Sequence, residues 1–139
     1  MPTRNAEATW RGDLKSGSGD LALGSGVYEG PYSFASRFED GDATNPEELI
    51  GAAHAGCFVM ALSNELDEAG YEPEQLHADA EVHLDPDALE IDWIELTLEA
   101  TIPDIDEETF QEIAAGAKAG CPVSKALAGV DIRLDATLA

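Results

Sequence analysis

The sequence predicts an α+β fold, and three observations carry that expectation. Short alternating stretches punctuated by glycine come first. A long apolar segment with clear helix start and stop signals follows. Two further alternating stretches, an amphipathic helix and a last, cleaner strand complete the chain. The order strands, long helix, strands, helix, strand defines the class. The chain has 139 residues, which suits one domain spanning 1–139. Folding at this size buries roughly two-thirds of the unfolded surface, so no structural disulfide is required.

Taken in order, Ala6 to Asp13 and Gly19 to Leu23 alternate loosely and read as short antiparallel strands with tight turns. Tyr32 to Phe38 is expected as another strand, ending at the acidic turn Glu39 to Asp42. The long helix then begins. Thr44 or Asn45 can cap it, Pro46 suits its first position, and Glu47 and Glu48 complement its positive end. It should run to about Ala69 and stop at Gly70. Its middle, LIGAAHAGCFVMAL, is apolar almost all round, which predicts burial on nearly every side. A helix wrapped by sheet, or packed against its copy in a dimer, would supply such a place.

Gln75 to Leu84 and Ile91 to Ile102 read as strands joined by the turn DPDA. The faces of the second are mixed, so its inward side is not assignable from pattern. Asp106 to Lys118 is an amphipathic helix with acids in its first turn. Ser124 to Leu127, just after Pro122, can start a short helix. Val130 to Leu138 alternates most cleanly of all.

The net charge is −22, from 29 acidic and 7 basic residues. Such a surface excludes ordinary nucleic-acid binding, which needs clustered Lys and Arg, and opposes docking on anionic membranes. The acids are spread along the chain, and 44% hydrophobic residues oppose disorder. Adaptation to a high-salt cytoplasm accounts for the acidity best, because salt screens the self-repulsion. The start MPTRNAEATWRGD has no apolar core of a secretory signal. Leu49 to Leu62 is too short to span a bilayer. A cytoplasmic protein is therefore expected. In that reducing compartment a Cys pair is more often redox-active or metal-binding than structural.

The chain has two cysteines, Cys57 and Cys121. Cys57 sits mid-helix, where a free Cys is commonly a small buried hydrophobe. Cys121 sits at a break before a proline, where helix-end amides can lower its pKa. Their spacing matches neither a thioredoxin-like nor a zinc pattern. His54 is three residues from Cys57 on the same helix, which raises a Cys-His nucleophile, although a His satisfied by a polar partner is the blander account. His77 and His83 share one strand face, more simply a solvated one. Arg37, between Phe34 and Phe38, has an apolar setting that calls for an anionic partner. A surface ion pair is the plainer alternative, and Glu47 can be only a first-turn charge.

Two runs resemble a known family. TNPEELIGAAHAGC (Thr44 to Cys57) is similar to the central-helix motif of the OsmC/Ohr family, the osmotically inducible and organic hydroperoxide resistance proteins. AKAGCPVS (Ala117 to Ser124) resembles its second-cysteine motif. RFE at Arg37 to Glu39, WRGDLKSGSG near the start and the terminal strand also fit, nearer the OsmC branch. The resemblance implies antiparallel sheets wrapped around long central helices in an intertwined homodimer, with active sites at the dimer interface. It implies that Cys57 is the peroxidatic cysteine and Cys121 the resolving one. Arg37 would be the arginine beside the reactive thiol, held by Glu47. The implied activity is reduction of organic hydroperoxides, and more weakly hydrogen peroxide, with a dithiol or a lipoylated protein as reductant.

The chemistry is consistent with that resemblance. Thiolate, not thiol, attacks the O–O bond, and burial of Cys57 in helix packing opposes ionisation. A permanent cation such as Arg37 offsets that cost. Cys57 then becomes a sulfenic acid, and condensation with Cys121 forms a disulfide before irreversible over-oxidation. Phe58, Phe34 and Met60 are the expected apolar wall for an alkyl tail. No cofactor is needed: no metal, flavin or nucleotide. A hydrophobic small-molecule binding or redox-sensor protein using the same pocket is the alternative from another class.

Overall fold

The structure, a computed structural model, describes residues 2–139. The chain divides into two compact units, one ending at Leu49 and one spanning Ile50–Ala139. Both α-helix and β-strand are present in quantity, so the α+β class stands.

In the first unit, β1 (Ala6–Arg11), β2 (Ser18–Leu23) and β3 (Glu29–Tyr32) form an antiparallel sheet in chain order. Gly19 lies opposite both Trp10 and Tyr32 in register. A Cβ there would fall 2.5 Å from the Tyr32 ring and 2.7 Å from the Trp10 ring. Glycine thus lets the two aromatics meet across it, with centroids 5.5 Å apart.

The expected strand over Tyr32 to Phe38 is corrected: only Tyr32 belongs to β3, and Phe34–Phe38 is a short helix, α1. Ser33 caps it. The Ser33 side chain accepts from the Ser36 amide at 3.1 Å, and Ser36 Oγ accepts from the Ser33 amide at 2.8 Å. This reciprocal pair satisfies two orphan donors, and it outweighs the β preference of the aromatics.

Helix α2 (Pro46–Glu68) has the ends its sequence announces. Asn45, not Thr44, caps it, through Glu48 N–H to Asn45 Oδ1 at 2.8 Å. At the other end Gly70 takes φ +90°. Tyr71 N–H reaches Leu66 O at 2.9 Å and Gly70 N–H reaches Asp67 O at 3.0 Å, a Schellman motif. Burial differs from the expectation of an all-round buried helix. One stripe, His54, Phe58, Leu62 and Leu66, is sealed at 0% exposure. Ala52, Ala53, Gly56 and Met60 on other faces stay exposed in the single chain. By length and composition alone α2 is long and apolar enough to cross a membrane. Its stripe instead packs in a core with Leu96, Leu98, Phe110 and Ala114. Burying each large member contributes about 1.5–3 kcal/mol.

The second unit's sheet holds β4 (Gln75–Asp85), β5 (Glu90–Thr101) and β6 (Asp131–Leu138). β4 pairs antiparallel with β5, but β5 pairs parallel with β6. This sheet is therefore mixed and not wholly antiparallel as expected. The cause is the crossover: α3 (Glu107–Gly120) and α4 (Pro122–Ala126) carry the chain back to the same edge direction. Ile94, Leu96, Leu98 and Ala100 are the inward face of β5, which settles the facing.

Gly70 has nothing within 4 Å of a built Cβ, so its requirement is purely conformational. Gly70→Ala is expected to lower stability by roughly 1 kcal/mol, read as a lower denaturation midpoint with unchanged slope.

Candidate active site

The sites named from the sequence fall into two pairs, one in each unit. In the first unit, Arg37 projects from α1 and meets Glu47 in the first turn of α2. Arg37 Nε donates to Glu47 Oε1 at 3.1 Å and Nη2 donates to Oε2 at 3.0 Å. This fork is bidentate, the geometry that fixes a guanidinium best. Glu47 is only 7% exposed. The plainer reading, a loose surface ion pair, does not describe a carboxylate this buried.

Local folding holds that pair. Ser36 Oγ donates to Thr44 O at 2.7 Å, and Asn45 Nδ2 donates to Ser36 O at 2.9 Å. These bonds latch α1 to the start of α2. The Arg37 guanidinium also lies 5.4 Å from the Phe38 ring centroid, within cation–π range. Beside it, Trp10, Leu14, Tyr32, Ser33, Phe34 and Phe38 line a pocket of about 220 Å3. Of the expected apolar wall, Phe34 lines this pocket. Phe58 does not form a wall, because the 54–58–62 spacing places it in the core at 0% exposure. Met60 is 76% exposed.

In the second unit, Cys57 and Cys121 meet, with Sγ atoms 2.8 Å apart and both thiols free. The sequence explains the approach. Pro122 disfavours the helical conformation at the preceding residue. Cys121 accordingly has φ −59° and ψ 126°, ending α3 and starting α4. Its amide still caps α3, donating to Ala117 O at 3.0 Å. Cys121 is completely buried, whereas Cys57 keeps partial exposure.

The two thiols differ electrostatically. Burial pushes the Cys57 thiol up, the hydrogen bond with Cys121 pushes it further, and the Val123 amide opposes weakly. Burial also raises Cys121. Its polar surroundings, the adjoining Cys57 thiol first, more than offset it, leaving Cys121 below its ordinary value. Nothing in this pair itself activates Cys57; its thiolate needs help from elsewhere.

His54 does not pair with Cys57. Its Nε2 lies 2.8 Å from Ser124 Oγ, and burial lowers its pKa, which favours the neutral ring. That contact removes the motive for a Cys-His nucleophile. His77 and His83 sit on the solvated face. His83 Nδ1 is bonded to Asp92 at 2.6 Å, and its ring stacks on Trp93. Ser124 was not singled out from the sequence, although its place three residues after Cys121 puts it within one helical turn.

Comparison with known proteins shows the family. The family model described as OsmC-like protein matches residues 39–135. The chain belongs to the OsmC family. It is 50% identical over 135 residues to the peroxiredoxin OsmC of Escherichia coli strain K12, covering 95% of this chain and 94% of that one. It is 32% identical over 138 residues to the organic hydroperoxide resistance protein OhrB of Bacillus subtilis strain 168, covering 97% and 98%. The crystal structure of that OhrB superposes with a TM-score of 0.67 at 29% identity, over 96% of this chain and 98% of it. An organic hydroperoxide resistance protein from Elizabethkingia anophelis superposes with a TM-score of 0.73 at 26% identity, over 100% and 96%. The OsmC fold is thus shared along essentially the whole chain.

Because the sulfurs already lie 2.8 Å apart, closing a disulfide needs little backbone motion. Mild oxidation is expected to give an intramolecular Cys57–Cys121 bond without loss of fold. Peptide mapping by mass spectrometry checks the bond, and circular dichroism the fold.

Proposed function

We propose that this OsmC-family chain is a cysteine-based peroxidase that reduces organic hydroperoxides, and more weakly hydrogen peroxide, to alcohols or water. The 2.8 Å approach of Cys57 and Cys121 is the observation that carries this function. A nucleophile and a second thiol within bonding reach can pass from sulfenic acid to disulfide without rearrangement.

Cys57 is the attacking residue, because it is the partly exposed one of the two. Its thiolate attacks the terminal peroxide oxygen. The O–O bond breaks, an alkoxide leaves and takes a proton, and Cys57 becomes a sulfenic acid. Cys121 Sγ then attacks that sulfur and displaces hydroxide, which becomes water. A dithiol or lipoylated protein returns the disulfide to two thiols. Arg37 is the permanent cation assigned to the Cys57 thiolate, and Glu47 orients it through the bidentate fork. A partly desolvated opposite charge shifts a pKa by one to three units, comparable to a burial cost of that order. Glu47 offsets some of that field, so its contribution is geometry. The aromatic pocket beside Arg37 suits an apolar alkyl or aryl tail.

The working form is one domain over residues 1–139, assembled as a homodimer in the cytoplasm. The exposed small apolar residues of α2, Ala52, Ala53 and Gly56, support a close helix–helix seam there. The charge of −22 supports a high-salt setting; stability should rise between low and molar salt, measured by thermal unfolding.

Purified protein with excess dithiol should consume cumene hydroperoxide over many turnovers. No turnover would refute the peroxidase assignment. Cys57→Ser should abolish consumption. Cys121→Ser should react once and accumulate sulfenic or sulfinic acid on Cys57, detected by mass spectrometry. Arg37→Ala should raise the Cys57 pKa by roughly one to three units and slow the first step about tenfold or more at neutral pH. The remaining rate should climb as pH rises, because the thiolate fraction then grows. An unchanged thiol titration in Arg37→Ala would remove Arg37 from the activating role.

A further inference from the structure

The aromatic pocket of the first unit has a rim that the mechanism so far leaves unused. That rim is the turn joining β1 to β2, and its shape is fixed from within. Asp13 Oδ1 accepts from the Ser16 amide at 2.7 Å and also from the Ser16 hydroxyl, and Gly17 N–H reaches Asp13 O at 3.0 Å. A Cβ at Gly17 would fall 2.2 Å from Asp13 O, so the turn closes this tightly only on glycine. Trp10 Nε1–H donates to Gly12 O at 3.1 Å, which ties the turn to a ring that lines the pocket. The turn carries Leu14 and Lys15. Leu14 lines the pocket and is still 60% exposed. The Lys15 ammonium stands 5.8 Å from the centroid of Phe34, another lining ring.

The charge of its surroundings sets this lysine apart. The chain has 29 acidic residues against 7 basic ones, so an exposed ammonium has carboxylates in abundance to pair with. Among the described residues, none lies within ion-pair distance of Lys15. The two acids nearest in sequence are already engaged, Asp13 by Ser16 and Asp20 by Arg11 at 3.7 Å. Arg37 lines the pocket too, but its guanidinium is committed to buried Glu47 through two N–H groups. The pocket therefore has apolar sides and, at its rim, one cation without a counter-ion.

We propose that Lys15 is a specificity-determining residue, and that the pocket takes hydroperoxides in which a carboxylate is joined to a short apolar body, best an aryl ring. The apolar body lies against Trp10, Leu14 and Phe34, and the carboxylate meets the Lys15 ammonium. The size follows from volume. About 220 Å3 falls below the roughly 300–1,000 Å3 of pockets for drug-sized ligands, so a ring fits whole and a long acyl chain does not. Covering Leu14 removes apolar area from water and supplies affinity, while the ammonium selects by charge. The chain's charge of −22 repels anions at long range. Molar salt shortens the Debye length to about 3 Å, which screens that repulsion but leaves most of a contact pair.

That the carboxylate arrives on a hydroperoxide rests on the function proposed above. The chemistry at sulfur is unchanged, and Lys15 enters neither O–O cleavage nor disulfide closure.

The test compares cumene hydroperoxide with its para-carboxylate analogue, using the full chain, excess dithiol and molar salt. The unsubstituted chain is expected to favour the carboxylate about threefold in kcat/KM, through a lower KM at equal kcat, as an exposed ion pair allows. Lys15→Gln should erase that preference and leave the kinetics of cumene hydroperoxide as they were, and Lys15→Arg should keep it. Lys15 is exposed, so neither change endangers the fold. A preference that survives Lys15→Gln, or turnover with no preference, overturns the proposal. A second arm needs no peroxide chemistry. In Cys57→Ser, para-isopropylbenzoate should shift the Trp10 indole N–H resonance in heteronuclear NMR, and neutral para-isopropylbenzamide should bind about threefold more weakly. Lys15→Gln should make the two equal. No shift at Trp10, or equal binding before the substitution, also overturns the proposal. Lys15-dependent binding in a protein that consumes neither hydroperoxide would refute the peroxidase assignment and leave the carboxylate site standing.

Discussion

The seating of one stripe of α2 in the second unit's core is the constraint on which the site depends. His54, Phe58, Leu62 and Leu66 recur at helical spacing and are all sealed. Fixing that stripe fixes the rotation of the helix. Cys57 then falls at the edge of the stripe, half in the core and half out. Its partial exposure and its desolvation penalty both follow from one rotation. A shift of one residue would either sink the thiol completely or free it into water, where an ordinary thiol pKa would return. Cys121 has to come to this edge from another element, and the break imposed by Pro122 is what delivers it. The meeting of two sulfurs at 2.8 Å is therefore the product of a core packing pattern and a single proline.

The two sulfurs are unequal for identifiable reasons. Both are buried enough for the charged form to be penalised. Its polar surroundings nevertheless hold Cys121 below its ordinary value. Cys57 receives less such help, and its neighbour's hydrogen bond works against it. In the proposed mechanism a fixed cation offsets that penalty. Arg37 is suited to that assignment because it never loses its proton and because Glu47 restrains it at two points. Lysine would carry the charge but could not form the fork.

Much of the fold was legible because its signals are local. Pro46, Glu47 and Gly70 mark the ends of α2 through backbone chemistry that needs no tertiary context, and the structure places both ends there. The errors came where local signals competed or where pairing was at issue. Phe34 and Phe38 suggested a strand, but the two serines at 33 and 36 form a capping box that closes a helical turn. The alternation of β6 identified a strand but held no information on its partner's direction, so the parallel pairing with β5 was invisible. Phe58 looked like substrate wall because apolarity alone does not tell which side of a helix is core. Cys57, Cys121, Arg37 and Glu47 were expected from motifs; Cys57 meets Cys121 and Arg37 meets Glu47, and their roles are those proposed above. The His54–Ser124 contact was not readable: 70 residues separate the two, and neither has a signature that names the other.

The open face of α2 bears on the same chemistry. Ala52, Ala53, Gly56 and Met60 leave apolar surface exposed next to the half-buried Cys57, in a helix whose sequence has the composition of a fully buried one. Small residues in that pattern allow another helix to approach closely. If a second copy covers the face, apolar area is removed from water at about 25 cal/mol per Å2. The remaining exposure of Cys57 falls at the same time, and the penalty on its thiolate grows. Assembly and activation would then be coupled. The more completely the helix is buried, the more the thiolate depends on a fixed guanidinium, and the less a peroxide without an apolar tail gains from entering. In the proposed mechanism, a permanent cation is therefore worth more to a sulfur on a core-like helix than to one in water.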